Sequence, residues 1–480
     1  MRMSKDKNIC KEDTADIRNQ EKYALRVKAL VERAKLEKAR DLYVHVSTFG
    51  CQQNEADSER LLGTALMLGY KKAESIEKAD LVIFNTCAVR EHAELRALSK
   101  TGQLKHLKEK NKDMLIGLWG CMVSREERVD EIKHKYPYVD FVGGTSMLHR
   151  LPEILCDVME TDRRRYYVDS SASPMVEGVP VSRESDIKAW VSIMYGCDNF
   201  CTYCIVPHVR GRERSRRKSD ILNEVRELVK CGYKEITLLG QNVNSYGKNL
   251  EENDKCTFAQ LLSEICKIDG DFTVRFMTSH PKDVSDELIE VIANNPKVER
   301  HFHLPVQSGS DEILKKMNRR YTKDSYLETV RKLRKAIPDV ALTTDIIVGF
   351  PNETDDDFEK TLDVVREVKY DGVYSFIYSP RPGTPAADMI DEIPYETKTE
   401  RFSRLMSLHR DNILSINDGY IGKTVRVLCE SQKDEKGFFS GRNSEFKLVR
   451  FTSDRKDIYG KYVNVKITDA GESQVFGHLE

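Results

Sequence analysis

The sequence lacks the features of a membrane protein or a secreted protein. None of its apolar runs reaches the roughly 18–20 residues that a membrane-spanning helix needs. The first twenty residues, MRMSKDKNICKEDTADIRNQ, contain no apolar segment of a secretory signal. A strong net charge is also missing, because 77 Lys and Arg balance 78 Asp and Glu. We therefore expect a cytoplasmic protein without membrane contacts, whose overall charge does not point to nucleic acid.

The length and the cysteine content narrow the class further. The chain has 480 residues, which is too long for one core, so about three domains of ~100–200 residues are expected. Twelve cysteines are many for a cytoplasmic chain. Disulfide scaffolds are short chains of oxidising compartments, so clustered cysteines here more often bind metal or take part in chemistry.

Three cysteines in the first half follow three predicted strands. Residues 1–40 are polar and read as an N-terminal extension, and residues 41–165 alternate strands with helices, which predicts an open parallel α/β sheet. The runs LYVHVSTFGC, ADLVIFNTC and MLIGLWGC end in Cys51, Cys87 and Cys121. The carboxyl ends of parallel strands share one edge of a sheet, where ligands bind. The pattern therefore favours a shared ligand for three thiolates over three separate buried cysteines.

Three more cysteines lie close together in the segment GCDNFCTYC. Cys197, Cys201 and Cys204 are spaced C-x3-C-x2-C and follow the predicted strand AWVSIMYG. Zinc usually takes four protein ligands, and the only fourth candidate nearby is His208. Three thiolates without a fourth suit a cubane iron–sulfur cluster with one open iron. A zinc site remains the alternative at this point.

The rest of the chain divides into three predicted segments. Residues 166–186 are rich in Ser, Pro and Gly and read as a linker. Residues 187–417 hold six strand–helix units and a final helix, which predicts a partial (βα) barrel with its site at the carboxyl ends of the strands. Residues 418–480 show short strands with turns between them, which predicts a small antiparallel β-barrel of the kind that often reads RNA.

A basic run follows the C-x3-C-x2-C motif. The segment VRGRERSRRK (209–218) carries six cations around the single acid Glu213. Such a run is usually a solvated face, but beside a metal-type motif it could contact phosphates. Charge in residues 418–480 is balanced, at 11 Lys and Arg against 10 Asp and Glu, and does not itself indicate RNA binding.

Together the motifs resemble a known enzyme family. CDNFCTYC resembles the cysteine signature of the radical S-adenosylmethionine (SAM) enzymes, with Tyr203 before the last cysteine. The strand-end cysteines and the last 60 residues resemble the N-terminal domain and the TRAM domain of the methylthiotransferases. Finer stretches resemble the MiaB-type tRNA methylthiotransferases, namely CIVPHVRGRERSR, LLGQNVNSYG, FHLPVQSGSDEILKKMNRRYT, TDIIVGFPNET and YSPRPGTPAA.

The resemblance implies a reaction and its cofactors. Family members replace the C-2 hydrogen of N6-isopentenyladenosine at tRNA position 37 with a methylthio group, using two SAM molecules. Cys197, Cys201 and Cys204 would hold one 4Fe–4S cluster, which binds the SAM that is cleaved to a radical. Cys51, Cys87 and Cys121 would hold an auxiliary 4Fe–4S cluster that binds a sulfur species.

The resemblance also suggests further site residues. Residues at predicted strand ends, together with Tyr203, would line SAM: Gly240, Gln241, Ser279, Gln307, Thr344, Asp345 and Gly349. Four arginines would contact the tRNA: Arg210, Arg212, Arg214 and Arg381. The expected partners are the tRNA anticodon arm, a cytosolic one-electron reductant and an unidentified sulfur donor, and we expect a monomer.

Two other functions are compatible with the sequence alone. One is a methylthiotransferase that acts on a ribosomal-protein aspartate or on threonylcarbamoyl adenosine in tRNA. The other is a zinc-bound RNA-binding protein that uses the barrel as a scaffold.

Overall fold

The computed structural model describes residues 6–89, 91–168 and 177–480, with side chains from residue 19 onward. These residues form two compact units. Unit 1 comprises Met1–Glu184, Tyr195–Asp198 and Ile205–Arg214, and unit 2 comprises Ser185–Met194, Asn199–Cys204 and Ser215–Glu480. Among the described helices, none has an apolar stretch of the length that a membrane crossing requires.

Unit 1 is built on a six-stranded sheet whose strands are all parallel, in the order β2-β1-β3-β4-β5-β6. The strands are β1 Tyr43–Phe49, β2 Lys71–Lys72, β3 Leu81–Thr86, β4 Leu115–Gly120, β5 Phe141–Gly143 and β6 Arg165–Tyr167. The helices are α1 Asp6–Lys38, α2 Gln52–Met67, α3 Glu91–Lys110, α4 Glu126–Lys135, α5 Leu151–Thr161 and the short α6 Val206–Arg210.

Two apolar cores cover the two faces of this sheet. One core holds side chains of α1, α2 and α5, and the other holds side chains of α3 and α4. Strand β3 is buried along its whole length, as its sequence LVIFNT requires of a central parallel strand covered on both faces. The predicted parallel α/β domain is confirmed.

Unit 2 contains the predicted partial barrel. Its six parallel strands form two three-stranded sheets, β11-β10-β7 and β12-β13-β14. The strands are β7 Lys188–Ser192, β10 Glu235–Leu239, β11 Thr273–Phe276, β12 His301–His303, β13 Ala341–Val348 and β14 Gly372–Ile377. A separate two-stranded pairing joins β8 Met194–Tyr195 and β9 Arg214–Ser215.

Helices cover the outside of the partial barrel, and their apolar faces form the largest core of the chain. They are α7 Lys218–Lys230, α8 Phe258–Cys266, α9 Asp286–Asn294, α10 Asp311–Lys316, α11 Lys323–Ala336, α12 Asp355–Val368 and α13 Tyr395–Asp418. Several begin at a hydroxyl cap; for example, Thr322 and Thr354 accept a hydrogen bond from the third residue of their helices.

The C-terminal part of unit 2 is a closed five-stranded barrel, in the order β15-β16-β17-β19-β18. Its strands are β15 Thr424–Cys429, β16 Phe439–Asn443, β17 Leu448–Thr452, β18 Tyr462–Ala470 and β19 Val475–Leu479. The predicted small barrel is confirmed, although only four of its strands were expected from the sequence. The predicted linker 166–186 falls partly on residues 169–176, which lie outside the described residues, and its first two residues belong to β6.

The turn between β16 and β17 docks this barrel on the strands of the partial barrel. The Arg275 guanidinium donates to the carbonyls of Asn443 and Ser444 at 2.7 and 3.2 Å, and it lies over the Phe446 ring. Arg275 also donates to Glu235 at 2.7 Å and lies 3.7 Å from Glu299, and all three side chains are buried.

Replacing this arginine is expected to destabilise unit 2 strongly. The substitution Arg275→Met leaves two buried carboxylates without their cation, and breaking a buried ion pair costs about 3–5 kcal/mol. Denaturant unfolding measures the loss. The matched control is Lys332→Met, which removes an exposed pair with Asp286 and should cost no more than about 1 kcal/mol. Equal losses in the two variants would contradict this account of the docking turn.

Candidate active site with two cysteine clusters

The three strand-end cysteines of unit 1 lie at one edge of the sheet. Strands β1, β3 and β4 are neighbours, and their register aligns Phe49 with Thr86 and Thr86 with Gly120. Cys87 and Cys121 follow the aligned residues directly, and Cys51 comes one residue later in its loop. The structure therefore brings together the three thiols that the sequence pattern placed at strand ends.

Tight backbone contacts fix this edge. Gly120 has a φ of +101°, and a Cβ at this position would lie 2.4 Å from both Asn85 Oδ1 and the Thr86 carbonyl. Asn85 in turn exchanges hydrogen bonds with Asn54 on α2, at 3.1 Å between side chains and 2.8 Å to the Asn54 carbonyl. Both amides are fully buried. The glycine and the two amides hold the cysteine-bearing loops in a fixed position.

The three sulfurs differ in their electrostatic surroundings. Cys51 caps the N-terminus of α2, and its pKa is lowered by the Cys87 thiol, by the Arg210 charge and by backbone N–H groups. The pKa of Cys87 is raised by its contact with Cys51 and by burial, while the Val89 N–H donates to its sulfur at 3.3 Å. Burial also raises the pKa of Cys121, against the lowering effect of Arg210.

A cavity of about 340 Å³ opens onto this edge. Cys51 and Cys87 line it together with Phe49, and its rim includes Glu55, His92 and Arg96. No group of three His, Cys, Asp or Glu side chains within the described ranges lies in reach of a single metal ion. In a 4Fe–4S cluster each thiolate binds a different iron, so the three cysteines need not surround one ion. The cavity beside Cys51 and Cys87 provides space for such a cluster.

The C-x3-C-x2-C loop contributes Cys201 and Cys204 to unit 2. The Thr202 N–H donates to the Met317 carbonyl at 3.1 Å, and the Thr202 carbonyl accepts from the Ala386 N–H at 2.9 Å. Asn318 donates to the Phe200 carbonyl at 2.9 Å. The stretches KKMNRRYT and SPRPGTPAA therefore hold the cysteine loop. Cys197 belongs to unit 1, where its N–H donates to the Gly211 carbonyl at 3.2 Å.

A buried arginine, which the sequence analysis missed, contacts the loop. Arg319 donates from Nη1 to the Cys201 sulfur at 3.3 Å and to the Tyr203 hydroxyl at 3.4 Å. Its other nitrogens donate to the Tyr321 hydroxyl at 3.0 Å and the Pro305 carbonyl at 2.9 Å. A cation that donates to a cysteine sulfur stabilises the thiolate form that binds iron.

The predicted SAM residues differ in the contacts that they make within the fold. Thr344 and Gly349 serve the fold, because the Thr344 hydroxyl bonds to the backbone of Leu304 and Val306 and the Gly349 N–H bonds to Glu353. Gln307 has a φ of +67°; its N–H donates to the Asp345 carbonyl of β13, and its carbonyl accepts from the Ile347 N–H of the same strand. The Asp345 carboxylate lies 3.5 Å from the His303 ring on the same sheet. A Cβ at Gly240 would lie 2.5 Å from Met194.

Unpartnered polar atoms cluster after β10 and β11. The loops are joined, since Val243 donates to the Thr278 carbonyl and His280 donates from its backbone to Asn242. Buried polar atoms are normally hydrogen-bonded, so such a cluster indicates a polar ligand. In these two loops, the buried side-chain atoms without a partner among the described residues belong to Gln241, Asn244, Ser279 and His280. Burial lowers the pKa of His280, which keeps its ring neutral. These atoms fit the amino-acid portion of SAM.

The four predicted RNA-binding arginines are placed differently from one another. Arg212 is exposed and forms an ion pair with Asp198 at 3.2 Å, whereas Arg214 is half-buried and donates to the Arg210 carbonyl. The Arg381 carbonyl accepts hydrogen bonds from Thr384 in its turn. Arg210 differs from the prediction of a phosphate contact, because its side chain is buried between Cys121 and Asp57 and only 4% exposed.

The cysteine loop and the partial barrel belong to a radical SAM domain. The family model described as the radical SAM superfamily matches residues 191–365, and a family described as uncharacterized protein family UPF0004 matches residues 43–144. The structure resembles the radical SAM methyltransferase TsrM of Kitasatospora setae with a TM-score of 0.53. That match covers 72% of this chain and 75% of the other at 15% identity, so the likeness is one of fold.

Two relatives of nearly the same length as this chain show the particular family. Both are named tRNA-2-methylthio-N(6)-dimethylallyladenosine synthase. The protein of Thermoanaerobacter pseudethanolicus (strain ATCC 33223 / 39E) is 49% identical over 453 residues, which cover 94% of this chain and 96% of the relative. That of Alkaliphilus oremlandii (strain OhILAs) is 51% identical over 435 residues, which cover 90% and 92%. The chain belongs to this family.

Proposed function

We propose that the protein transfers a methylthio group to C-2 of N6-dimethylallyladenosine at position 37 of tRNA. The carrying observation is the alignment of Cys51, Cys87 and Cys121 on three neighbouring strands in a chain that also carries the radical SAM loop. An aromatic C–H bond offers neither an acidic proton nor a leaving group, so its replacement needs a radical. A separate thiolate site is needed to hold the sulfur.

Two 4Fe–4S clusters and SAM are the cofactors. Cys197, Cys201 and Cys204 hold the cluster that supplies one-electron cleavage of SAM to a radical, and the three strand-end cysteines hold the auxiliary cluster. With three ligands each, both clusters keep one iron open for a small molecule. The protein supplies the positioning. Contacts of Thr202 and Asn318 hold the loop of the SAM cluster, and the Asn54–Asn85 pair holds the loops of the auxiliary cluster.

Relatives favour the tRNA nucleoside over the other candidate substrates. Two proteins about half identical to this chain over nine-tenths of its length carry the dimethylallyladenosine name. That name specifies dimethylallyladenosine rather than a ribosomal-protein aspartate or threonylcarbamoyl adenosine. The zinc-bound scaffold is disfavoured by the match to the radical SAM superfamily.

Several finer assignments belong to the same proposal. Domains run from 41 to 165, from 187 to 417 and from 418 to 480, after the extension 1–40 and with the linker 166–186. The protein acts in the cytoplasm as a monomer on the tRNA anticodon arm, with a one-electron reductant and a sulfur donor of unknown identity. Arg212, Arg214 and Arg381 contact the tRNA, and SAM lies near Tyr203, Gln241, Ser279 and Asp345.

The test of the substrate compares three tRNAs that differ in the nucleoside at position 37. Reduced, cluster-loaded protein is given SAM, sulfide and tRNA that carries dimethylallyladenosine, threonylcarbamoyl adenosine or unmodified adenosine at position 37. Nucleoside mass spectrometry should show the added methylthio group only in the first tRNA. The control is Cys204→Ala, which removes a ligand of the SAM cluster and should give no product. Product on threonylcarbamoyl adenosine alone would replace the proposed substrate with the alternative.

A further inference from the structure

Arg210 occupies an unusual position for an arginine in a basic run. It is the last residue of α6, six positions along the chain from Cys204, and its side chain is only 4% exposed. Its Nε donates to the Cys121 sulfur at 3.2 Å, and its Nη2 donates to Asp57 at 3.0 Å. A cation is thus buried in direct contact with a cysteine of the proposed auxiliary cluster.

The counter-ion of Arg210 is equally buried. The Asp57 side chain is 2% exposed on α2, and the Gln53 amide donates to its other oxygen at 3.2 Å. A buried ion pair seldom adds stability, because the cost of removing two charges from water offsets their attraction. A negative charge on the Cys121 sulfur would attract the Arg210 guanidinium and repel the Asp57 carboxylate, so the two partners act on that sulfur in opposite directions.

The three cysteines receive different kinds of donors. Backbone N–H groups serve Cys51 at the start of α2, and the Val89 N–H serves Cys87. Cys121 receives a charged side chain instead. Hydrogen bonds to cluster sulfurs and nearby net charge are two main determinants of an iron–sulfur potential. Both act strongly at Cys121, because that residue is only 1% exposed.

We propose that Arg210 is a positioning residue for Cys121 and that the Arg210–Asp57 pair sets the reduction potential of the auxiliary cluster. The inference rests on the proposed function, which supplies that cluster. The Arg210 charge and its N–H···S bond stabilise the reduced cluster, which carries one more negative charge. The Asp57 carboxylate acts in the opposite direction. The balance between the two residues therefore fixes how readily the cluster accepts an electron.

Opposite effects of the two partners provide a sharp test. The parent is the full chain with Cys197→Ala, Cys201→Ala and Cys204→Ala, so that only the auxiliary cluster remains. Arg210→Gln, Arg210→Lys and Asp57→Asn are made in this parent, loaded with iron and sulfide under anaerobic conditions, and titrated with reductant. The electron paramagnetic resonance signal of the reduced cluster reports the fraction reduced at each potential.

The expected shifts differ in sign. Arg210→Gln should lower the ratio of reduced to oxidised cluster about tenfold at a fixed potential, which is about 59 mV for one electron. Asp57→Asn should raise that ratio, and Arg210→Lys should stay near the parent because it keeps the charge. The matched control is Arg183→Gln, which breaks a pair with Glu59 and should leave the potential unchanged. Glu59 lies on the same helix as Asp57.

The potentials and iron contents of these variants support or overturn the inference as follows. Unchanged potentials in Arg210→Gln and Asp57→Asn, or shifts of both in one direction, would overturn the inference while leaving the cluster itself in place. If Arg210→Gln loses its iron but Arg210→Lys retains it, the positioning role is supported, and Asp57→Asn still tests the sign. A parent that binds neither iron nor sulfide would overturn the proposed function, and the inference with it.

Discussion

Replacing Cys51, Cys87 and Cys121 by alanine should halve the iron content of the protein and abolish methylthiolation. Two four-iron clusters give about eight irons per chain, and the triple variant should keep about four with matching acid-labile sulfide. Cleavage of SAM to 5′-deoxyadenosine should continue, because Cys197, Cys201 and Cys204 are unchanged. Metal analysis, sulfide analysis and nucleoside mass spectrometry of anaerobically purified protein measure the three quantities.

A second triple variant controls for the loss of cysteine as such. Cys156, Cys231 and Cys266 lie on or directly after helices away from the strand ends, and their replacement by alanine should leave about eight irons in place. About four irons in the unmodified protein would remove the auxiliary cluster from the proposal. Zinc without sulfide would remove both clusters and restore the scaffold alternative.

The cysteine-bearing strands were predictable because their signal is local. Strand β3 begins with four apolar residues and β4 has no polar side chain, as expected of central parallel strands, and each ends directly before a cysteine. Strand β2, Lys71–Lys72, has no such signal, because two exposed lysines carry no apolar pattern. The last strand of the small barrel, Val475–Leu479, was missed for a related reason. It is short, and a glycine stands at its centre.

The side chains around the cysteines were less predictable, because their contacts join distant parts of the chain. Arg210 is 89 residues from Cys121, and Arg319 is 118 residues from Cys201. A basic run shows where charge is plentiful, but it does not show which long side chain turns inward. The sequence therefore indicated the six cysteines that we propose as cluster ligands, whereas the cations that contact Cys121 and Cys201 required the fold.

Replacing Arg319 by methionine should impair SAM cleavage without weakening the fold. Arg319 is buried, and no carboxylate forms an ion pair with it among the residues that the structure describes. The Tyr321 hydroxyl lies 3.1 Å from the Pro305 carbonyl and 2.8 Å from the Val306 carbonyl, so its proton is within reach of the carbonyl that loses Arg319. Burying a charge without a counter-ion costs free energy, and an apolar side chain of similar length removes that cost. The melting temperature of the iron-free variant should therefore not fall.

The rate of SAM cleavage, in contrast, should fall in Arg319→Met. A hydrogen bond from a charged donor is worth about 1.5–3 kcal/mol, so losing the Arg319 contact with Cys201 should slow 5′-deoxyadenosine formation by about ten- to a hundredfold. The neighbouring Arg320→Met is the matched control, because that side chain is exposed, and it should change neither quantity. A lower melting temperature in iron-free Arg319→Met would show that the arginine serves the fold. Unchanged SAM cleavage would show that its contact with Cys201 does not assist the cluster.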